Sequence, residues 1–166
     1  MAGFSRSASF FLFLAALTTA PAAAQETVTA TLSANLGGLA KLTLSSTTVT
    51  FPDADPDAFP LISPATGPLT VTVKARASAG STVRLTISAV DDLRSGTFII
   101  PVSTLTWTTA GAGFIGGTVS RAAAQTLGTW TGSGVNVGTQ TYRFQNSWVY
   151  APGTYTLVLY YTLAAP

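Results

Sequence analysis

The sequence contains no cysteine and no histidine, and only 8% of its 166 residues are charged. Without cysteine the fold cannot be held by disulfides, so its stability has to come from strand pairing and a packed core. Without histidine the chain lacks the commonest metal ligand and the commonest general base at neutral pH. Only Lys41 and Lys74 could activate a nucleophilic serine or threonine, and both lie in strand-like segments. The sequence therefore predicts neither an enzyme nor a cofactor.

Charge of either sign is scarce and evenly balanced. Of the eight basic residues only Arg6 precedes residue 25, which leaves seven basic against six acidic residues in the rest of the chain. The basic residues are scattered along the sequence and form no run that could follow a phosphate backbone. We therefore expect no nucleic-acid partner.

The first 24 residues have the composition of a secretory signal peptide. Arg6 precedes an apolar run over residues 8–20, and Ala22 and Ala24 give the small-x-small pattern that signal peptidase accepts. The run is shorter than the ~20 apolar residues that span a bilayer, and no later run replaces it. We expect cleavage after Ala24 and export of a single domain, residues 25–166, to the periplasm, the cell surface or the medium. A retained N-terminal anchor is the alternative.

The rest of the chain alternates apolar with Thr or Ser residues, which is typical of strands with one buried face. Such segments cover residues 27–36, 39–51, 69–77, 82–90, 97–109, 125–132, 139–147 and 153–163. Eight to ten short strands with turn signals every ~8–12 residues favour an all-β, antiparallel, immunoglobulin-like β-sandwich, with a closed barrel as the alternative. We expect residues 69–77 and 82–90 to form a hairpin through a turn at residues 78–81 that contains Gly80.

Three of the six acidic residues lie within the segment FPDADPDAFP, residues 51–60. The spacing of Asp53, Asp55 and Asp57 resembles the start of a calcium loop, and oxygen ligands suit Ca²⁺. A calcium loop of the EF type also needs glycine at its sixth and glutamate at its twelfth position, where this chain has Ala58 and Pro64. We interpret the segment as a turn whose Asp side chains bind local backbone N–H groups, with a weak metal site as the alternative.

Aromatic residues suggest two roles. Trp107 and Trp130 lie within predicted strands, and we expect them to fill the core. Trp148 and Tyr150 lie beside a predicted turn and are the candidates for stacking on a sugar ring.

The segment that follows the predicted cleavage site alternates throughout and ends at two glycines, Gly37 and Gly38. Such a strand can pair within its own domain, or it can add to an open sheet edge of a neighbouring molecule. The apolar face that would make either contact consists of Val28, Ala30, Leu32, Ala34 and Leu36. The last strand has apolar or aromatic residues on both faces, which predicts a central position in a sheet. We expect the N-terminal strand to cover a sheet edge, in cis or in trans.

The C-terminal motif PGTYTLVLYYTL resembles the closing strand of several bacterial exported surface β-sandwiches. These are the fimbrial and spore-coat-type subunits and the WxL cell-wall-binding domains. The chain departs from them in having Tyr160 and Tyr161 where a Trp-x-Leu motif would stand, and in lacking the cysteine pair of many fimbrial subunits. The resemblance implies an exported, non-catalytic surface or assembly protein.

Taken together, these features predict a secreted, non-enzymatic structural or adhesive protein of the cell surface. Its partners would be further copies of itself or other surface proteins, engaged through the N-terminal strand. The alternative is a glycan-binding module that uses its exposed aromatic residues.

Overall fold

The computed structural model describes residues 30–166, so the predicted signal peptide and residues 25–29, including Val28, lie outside the described residues. The chain divides into two units, Met1–Ala34 and Asn35–Pro166. Residues 30–34, the described part of the first unit, are exposed and have no regular secondary structure. All strands described below belong to the second unit.

Residues 35–166 fold into short strands with a single 3-10 turn at Val102–Thr104. The strands are β1 (Leu39–Leu44), β2 (Leu61–Ile62), β3 (Leu69–Arg76), β4 (Thr82–Ala89), β5 (Leu93–Ser95), β6 (Phe98–Ile100), β7 (Leu105–Ala110), β8 (Gly117–Thr118), β9 (Gln125–Thr131), β10 (Gly134–Gln145) and β11 (Leu159–Ala164). No helix in the described part of the chain is long and apolar enough to cross a membrane.

The strands form two main antiparallel sheets. The large sheet has the order β1-β3-β10-β7-β8, with β2 added beside β10, and the small sheet has the order β11-β4-β9. A further two-stranded ribbon joins β5 to β6. The sheets pack face to face and do not close into a barrel, which confirms the predicted antiparallel β-sandwich.

The core lies between the two sheets and comes from alternate residues of the central strands. Val71 and Val73 of β3 and Leu85 and Ile87 of β4 are fully buried. Burying each such side chain contributes about 1.5–3 kcal/mol to the free energy of unfolding. Trp107 is also buried, as predicted, and its indole N–H donates to the carbonyl oxygen of Ile115 at 2.8 Å. The period-two pattern of the sequence thus correctly predicts which faces are buried.

The predicted hairpin of residues 69–77 and 82–90 is wrong. β3 pairs with β1 and β10, whereas β4 pairs with β9 and β11, so the two strands lie in opposite sheets. The turn between them is present, with Gly80 at a φ of 78°, but it carries the chain across the core. Alternation in the sequence indicates which residues of a strand are buried. The same residues are buried whether the two strands form a hairpin or lie in opposing sheets, so the pattern does not distinguish the two arrangements.

Two further predictions about strands need correction. Residues 30–36, the described part of the predicted N-terminal strand, have no strand structure, because no strand in the described residues pairs with their backbone. The last strand, β11, is an edge strand of the small sheet and not a central one. Its residues alternate between half-buried and exposed, and the exposed Tyr160 accounts for the second apolar face in the sequence.

Candidate functional site

One side of the sandwich has two open sheet edges. β1 ends the large sheet and β11 ends the small sheet, and the two strands contact each other. In residues 30–166 no strand pairs with the outer backbone groups of either one. Unpaired N–H and C=O groups along a strand are a template for pairing with another chain. We call this side of the molecule the open side.

The opposite side is closed by the loop that follows β7. The Ile115 N–H donates to the Leu127 carbonyl oxygen at 2.8 Å, and the Thr129 N–H donates to the Gly113 carbonyl oxygen at 2.9 Å. These bonds connect the end of the large sheet to β9 of the small sheet. Strand addition is therefore blocked there along this stretch of β9 and remains available on the open side.

An aromatic pair holds the closed side together. The Phe114 and Trp130 rings meet edge to face with centroids 4.9 Å apart, and the Trp130 indole N–H donates to the Ala112 carbonyl oxygen at 2.9 Å. A Cβ at Gly128 would approach the Trp130 ring to 2.3 Å, so a glycine is needed beneath the ring. Trp130 is half-buried at the edge of the sandwich. The prediction that it fills the core is therefore not fully met.

The two open edges differ in how well they are protected. β1 carries Lys41 at its middle, and a charged edge residue discourages pairing with another chain. β11 has no charged residue and no proline, and its core-facing residues Leu159, Tyr161 and Leu163 are only half-buried. Such an uncharged strand with high β propensity aggregates when its edge stays uncovered. β11 is therefore the edge that most needs a partner.

The N-terminal candidates are exposed where they can be described. Ala30, Leu32, Ala34 and Leu36 are all exposed, and Leu32 is exposed to 91%. Alternation of this kind is typical of a strand with one buried face, and these apolar side chains are exposed.

A buried polar network anchors β11 to the large sheet, and sequence reasoning missed it. The Tyr161 hydroxyl donates to Gln140 Oε1 at 2.7 Å and lies 2.6 Å from the Tyr142 hydroxyl. Because the Tyr161 proton is engaged by Gln140, Tyr142 is the donor in the second bond. Gln140 is fully buried, and its Nε2 has no partner in the described residues. The signal in the sequence was a glutamine at a core-facing position of β10, two residues before Tyr142.

Burial raises the pKa of both tyrosines. The pKa of Tyr161 is raised to about 12 by desolvation, and the hydrogen bond that it accepts from the Tyr142 hydroxyl partly opposes that shift. The pKa of Tyr142 is raised further, first by desolvation and then by the neighbouring Tyr161. Both hydroxyls are therefore protonated at neutral pH and act as hydrogen-bond donors within the sandwich.

The acidic segment forms the predicted turn. The Asp55 carboxylate accepts from the Asp57 N–H at 2.9 Å, and the Asp55 carbonyl accepts from the Phe59 N–H at 2.8 Å. Asn146 ties the turn to the end of β10 by donating its side-chain amide to the Ala54 carbonyl at 2.9 Å. Asp53, Asp55 and Asp57 are exposed, and no group of three carboxylates within residues 30–166 could hold a metal ion.

The other acidic pair lies in an ion-pair network. Arg94 Nε lies 2.6 Å from Asp91 Oδ2, and this hydrogen bond is the main reason that the pKa of Asp91 falls to about 2. Arg121 reaches Asp92 at 3.1 Å, and the Asp92 carboxylate also accepts from the Val102 N–H at 2.9 Å. These carboxylates are engaged in stabilising a polar turn and the start of the 3-10 turn.

The two candidate sugar-stacking residues have different surroundings. Trp148 is 69% exposed, and its indole N–H donates to Asp57 Oδ1 at 3.2 Å, which restrains the ring against the acidic turn. Tyr150 is half-buried, with its ring centroid 5.9 Å from that of Phe144. The partial burial of Tyr150 also raises its pKa. Trp148 is therefore the free aromatic surface, whereas Tyr150 packs against the sandwich.

Comparison with known proteins gave no match among family models, curated sequences or solved structures.

Proposed function

We propose that this protein is an exported, non-enzymatic structural protein of the bacterial cell surface that assembles by strand donation. In this proposal the N-terminal segment, residues 28–36, of one molecule adds to the edge of β11 in the next. The fold supplies a rigid unit, and the segment supplies the connection between units.

The observation that carries the proposal is the unprotected edge of β11. This strand is free of charge and proline, and no other strand of residues 30–166 pairs with its outer edge. An incoming strand would pair those backbone groups, each hydrogen bond contributing about 0.5–1.5 kcal/mol net. It would also cover the half-buried Leu159 and Leu163.

The N-terminal segment has the chemistry of the missing strand. Its apolar residues recur at every second position, so that one face would meet the core while Thr and Ser face water. Leu32 and Leu36 are exposed, and covering them would contribute hydrophobic free energy as well. Gly37 and Gly38 follow directly, and the backbone freedom of glycine suits a flexible connection to the domain.

A cysteine trap tests the proposal, since the chain has no cysteine of its own. Thr162, exposed on β11, is changed to cysteine, and each of residues 30–36 is changed to cysteine in turn. At a matching register the two sulfurs come within bonding distance, so mild oxidation should give a ladder of dimers and higher oligomers on a non-reducing gel. The matched control places the partner cysteine at Ser103, which is exposed on the 3-10 turn.

Two results would contradict the proposal. No ladder at any of the seven positions would mean that the segment does not reach β11. An internal disulfide in a monomer would mean that the segment covers the edge of its own molecule.

Trp148 supports a second candidate function, binding of a glycan. Its ring is exposed, and Asp57, which accepts its N–H, has further oxygen capacity for sugar hydroxyls. Trp148→Ala should abolish retention on a glycan array, while Tyr150→Phe should leave it unchanged. Absence of binding by the unaltered protein would exclude this function.

A further inference from the structure

Three basic residues that are scattered in the sequence meet on one face of the large sheet. The strand register places Lys41 of β1 opposite Lys74 of β3, and Arg76 two residues further along β3 on the same side. Like charges directly opposite each other destabilise a sheet, so this arrangement has a cost that an anionic partner would offset. None of the ion pairs in residues 30–166 involves these three side chains.

Apolar side chains surround the three charges. Leu39 lies opposite Arg76, and Val135 lies opposite Lys74; the exposed fractions of the two are 63% and 64%. A shallow depression of about 310 Å³ lies between them and the basic side chains. We call this surface the basic face and define it by Leu39, Lys41, Lys74, Arg76 and Val135. Exposed apolar side chains rimmed by charged ones are typical of an interaction surface.

The other end of the same sheet has the opposite charge. The turn of Asp53, Asp55 and Asp57 is followed in sequence by Phe59, and the Trp148 indole N–H donates a hydrogen bond to Asp57. Val149 comes directly after Trp148, and the side chains of Phe59, Trp148 and Val149 are all exposed. We call these six residues the acidic tip. None of its carboxylates takes part in an ion pair within the described residues. Arg143 is the nearest base along β10, and its guanidinium donates to the Ser63 hydroxyl at 3.0 Å.

The two surfaces lie at opposite ends of one strand. β10 begins at Gly134, beside the basic face, and ends at Gln145, directly before the Asn146 that holds the acidic turn. The strand has twelve residues, and eleven rises of ~3.3 Å separate its two ends by roughly 36 Å. One molecule therefore cannot bring its own acidic tip onto its own basic face.

We infer that the acidic tip of one molecule docks on the basic face of a second copy, so that molecules associate head to tail. Three carboxylates and three basic groups, none of which takes part in an ion pair within the described residues, would then face each other, with exposed apolar side chains on both sides. A contact between two different surfaces of the same molecule leaves one of each free at the ends, so it extends into a filament unless a rotation closes it into a ring. The contact uses surfaces other than β11 and the N-terminal segment, and it holds whether or not strand donation occurs.

Charge reversal tests the inference. Lys74→Glu on the basic face and Asp53→Lys on the acidic tip should each weaken self-association about fivefold, because each variant replaces attractive contacts with repulsive ones. Sedimentation velocity of protein expressed from the full-length sequence, over a range of concentrations, measures the change. Arg84→Glu is the matched control, because Arg84 is exposed on β4 of the other sheet and its charge changes by the same amount. An equimolar mixture of Lys74→Glu and Asp53→Lys molecules should associate again, because each supplies the surface that the other lacks.

Salt gives the second readout. Raising the salt from 0.02 M to 0.5 M should weaken the association of the unaltered protein, because it shortens the range of charge interactions to a few ångströms. Association that is unaffected by both variants, or lost in Lys74→Glu but kept in Asp53→Lys, would overturn the inference. Loss in both variants without recovery in the mixture would overturn it too. The cysteine trap at Thr162 is independent of these charges, so failure of strand donation can be distinguished from failure of this contact.

Discussion

The buried hydroxyl of Tyr161 gives the sharpest prediction about stability. In Tyr161→Phe the ring stays and only the oxygen is lost, so the change in packing is small. Gln140 Oε1 then loses its donor and the Tyr142 hydroxyl loses its acceptor, while Gln140 Nε2 already has no partner in the described residues. Leaving a buried polar group unsatisfied costs about 1–3 kcal/mol. With two groups affected, we expect the free energy of unfolding to fall by about 2–6 kcal/mol.

Urea denaturation followed by circular dichroism measures this change, and Tyr160→Phe is the matched control. Tyr160 is the next residue of β11 but is 60% exposed, so its hydroxyl can bond to water and its loss should cost less than ~0.5 kcal/mol. Gln140→Leu combined with Tyr161→Phe removes both partners and should recover part of the lost stability. Equal stability of Tyr161→Phe and Tyr160→Phe would refute the view that the network anchors β11.

Three further predictions concern pH, metal and packing. The pKa of Tyr161 is raised to about 12 from an ordinary value near 10, so the folded state holds this proton more tightly than the unfolded state does. The contribution of Tyr161 to stability is therefore complete below pH 10 and should fall by about 1.4 kcal/mol per pH unit between pH 10 and 12. Tyr142, whose pKa is raised further, adds a loss of its own over the same range, so urea denaturation should show a steeper fall in the parent than in Tyr161→Phe. Millimolar calcium should leave the melting temperature within ~2 °C, since a tight site filled a hundredfold above its Kd would add ~2.7 kcal/mol; a rise of several degrees that disappears in Asp55→Ala would contradict the turn interpretation. Gly128→Ala should destabilise the fold by about 1–3 kcal/mol in thermal unfolding, because its Cβ would lie 2.3 Å from the Trp130 ring, whereas Gly37→Ala, with nothing within 4 Å, should unfold as the parent does.

The sequence predicted the buried faces of the strands well, and it predicted their partners poorly. The alternation of residues 69–75 and 83–89 identified Val71, Val73, Leu85 and Ile87 as core residues, because side chains point to opposite faces in turn. It did not assign the two strands to opposite sheets, because a period of two carries no information about the neighbouring strand. For the same reason the uncharged β11 was predicted to be central, although it lies at an edge.

In the candidate sites, too, local features could be predicted from the sequence, whereas contacts between distant residues could not. The Asp55 turn and the exposure of Trp148 follow from local sequence, and both were predicted. The meeting of Lys41 with Lys74 depends on the pairing of β1 with β3 across 33 positions of sequence, which no local pattern reveals. The bond between Gln140 and Tyr161 likewise joins two sheets whose packing only the structure defines.

Amide hydrogen exchange of β11 tests strand donation most directly. It is measured on the intact protein and on a variant that lacks residues 25–36, each at high and at low concentration. If a neighbouring molecule covers the edge, the outward N–H groups of Leu159–Ala164 should be protected in the concentrated intact protein, and they should lose protection on dilution and on deletion. A synthetic peptide of residues 25–36 should restore the protection in the deletion variant and keep it soluble. Equal exchange of these amides in all samples would contradict the account, since the edge would then have no partner to lose.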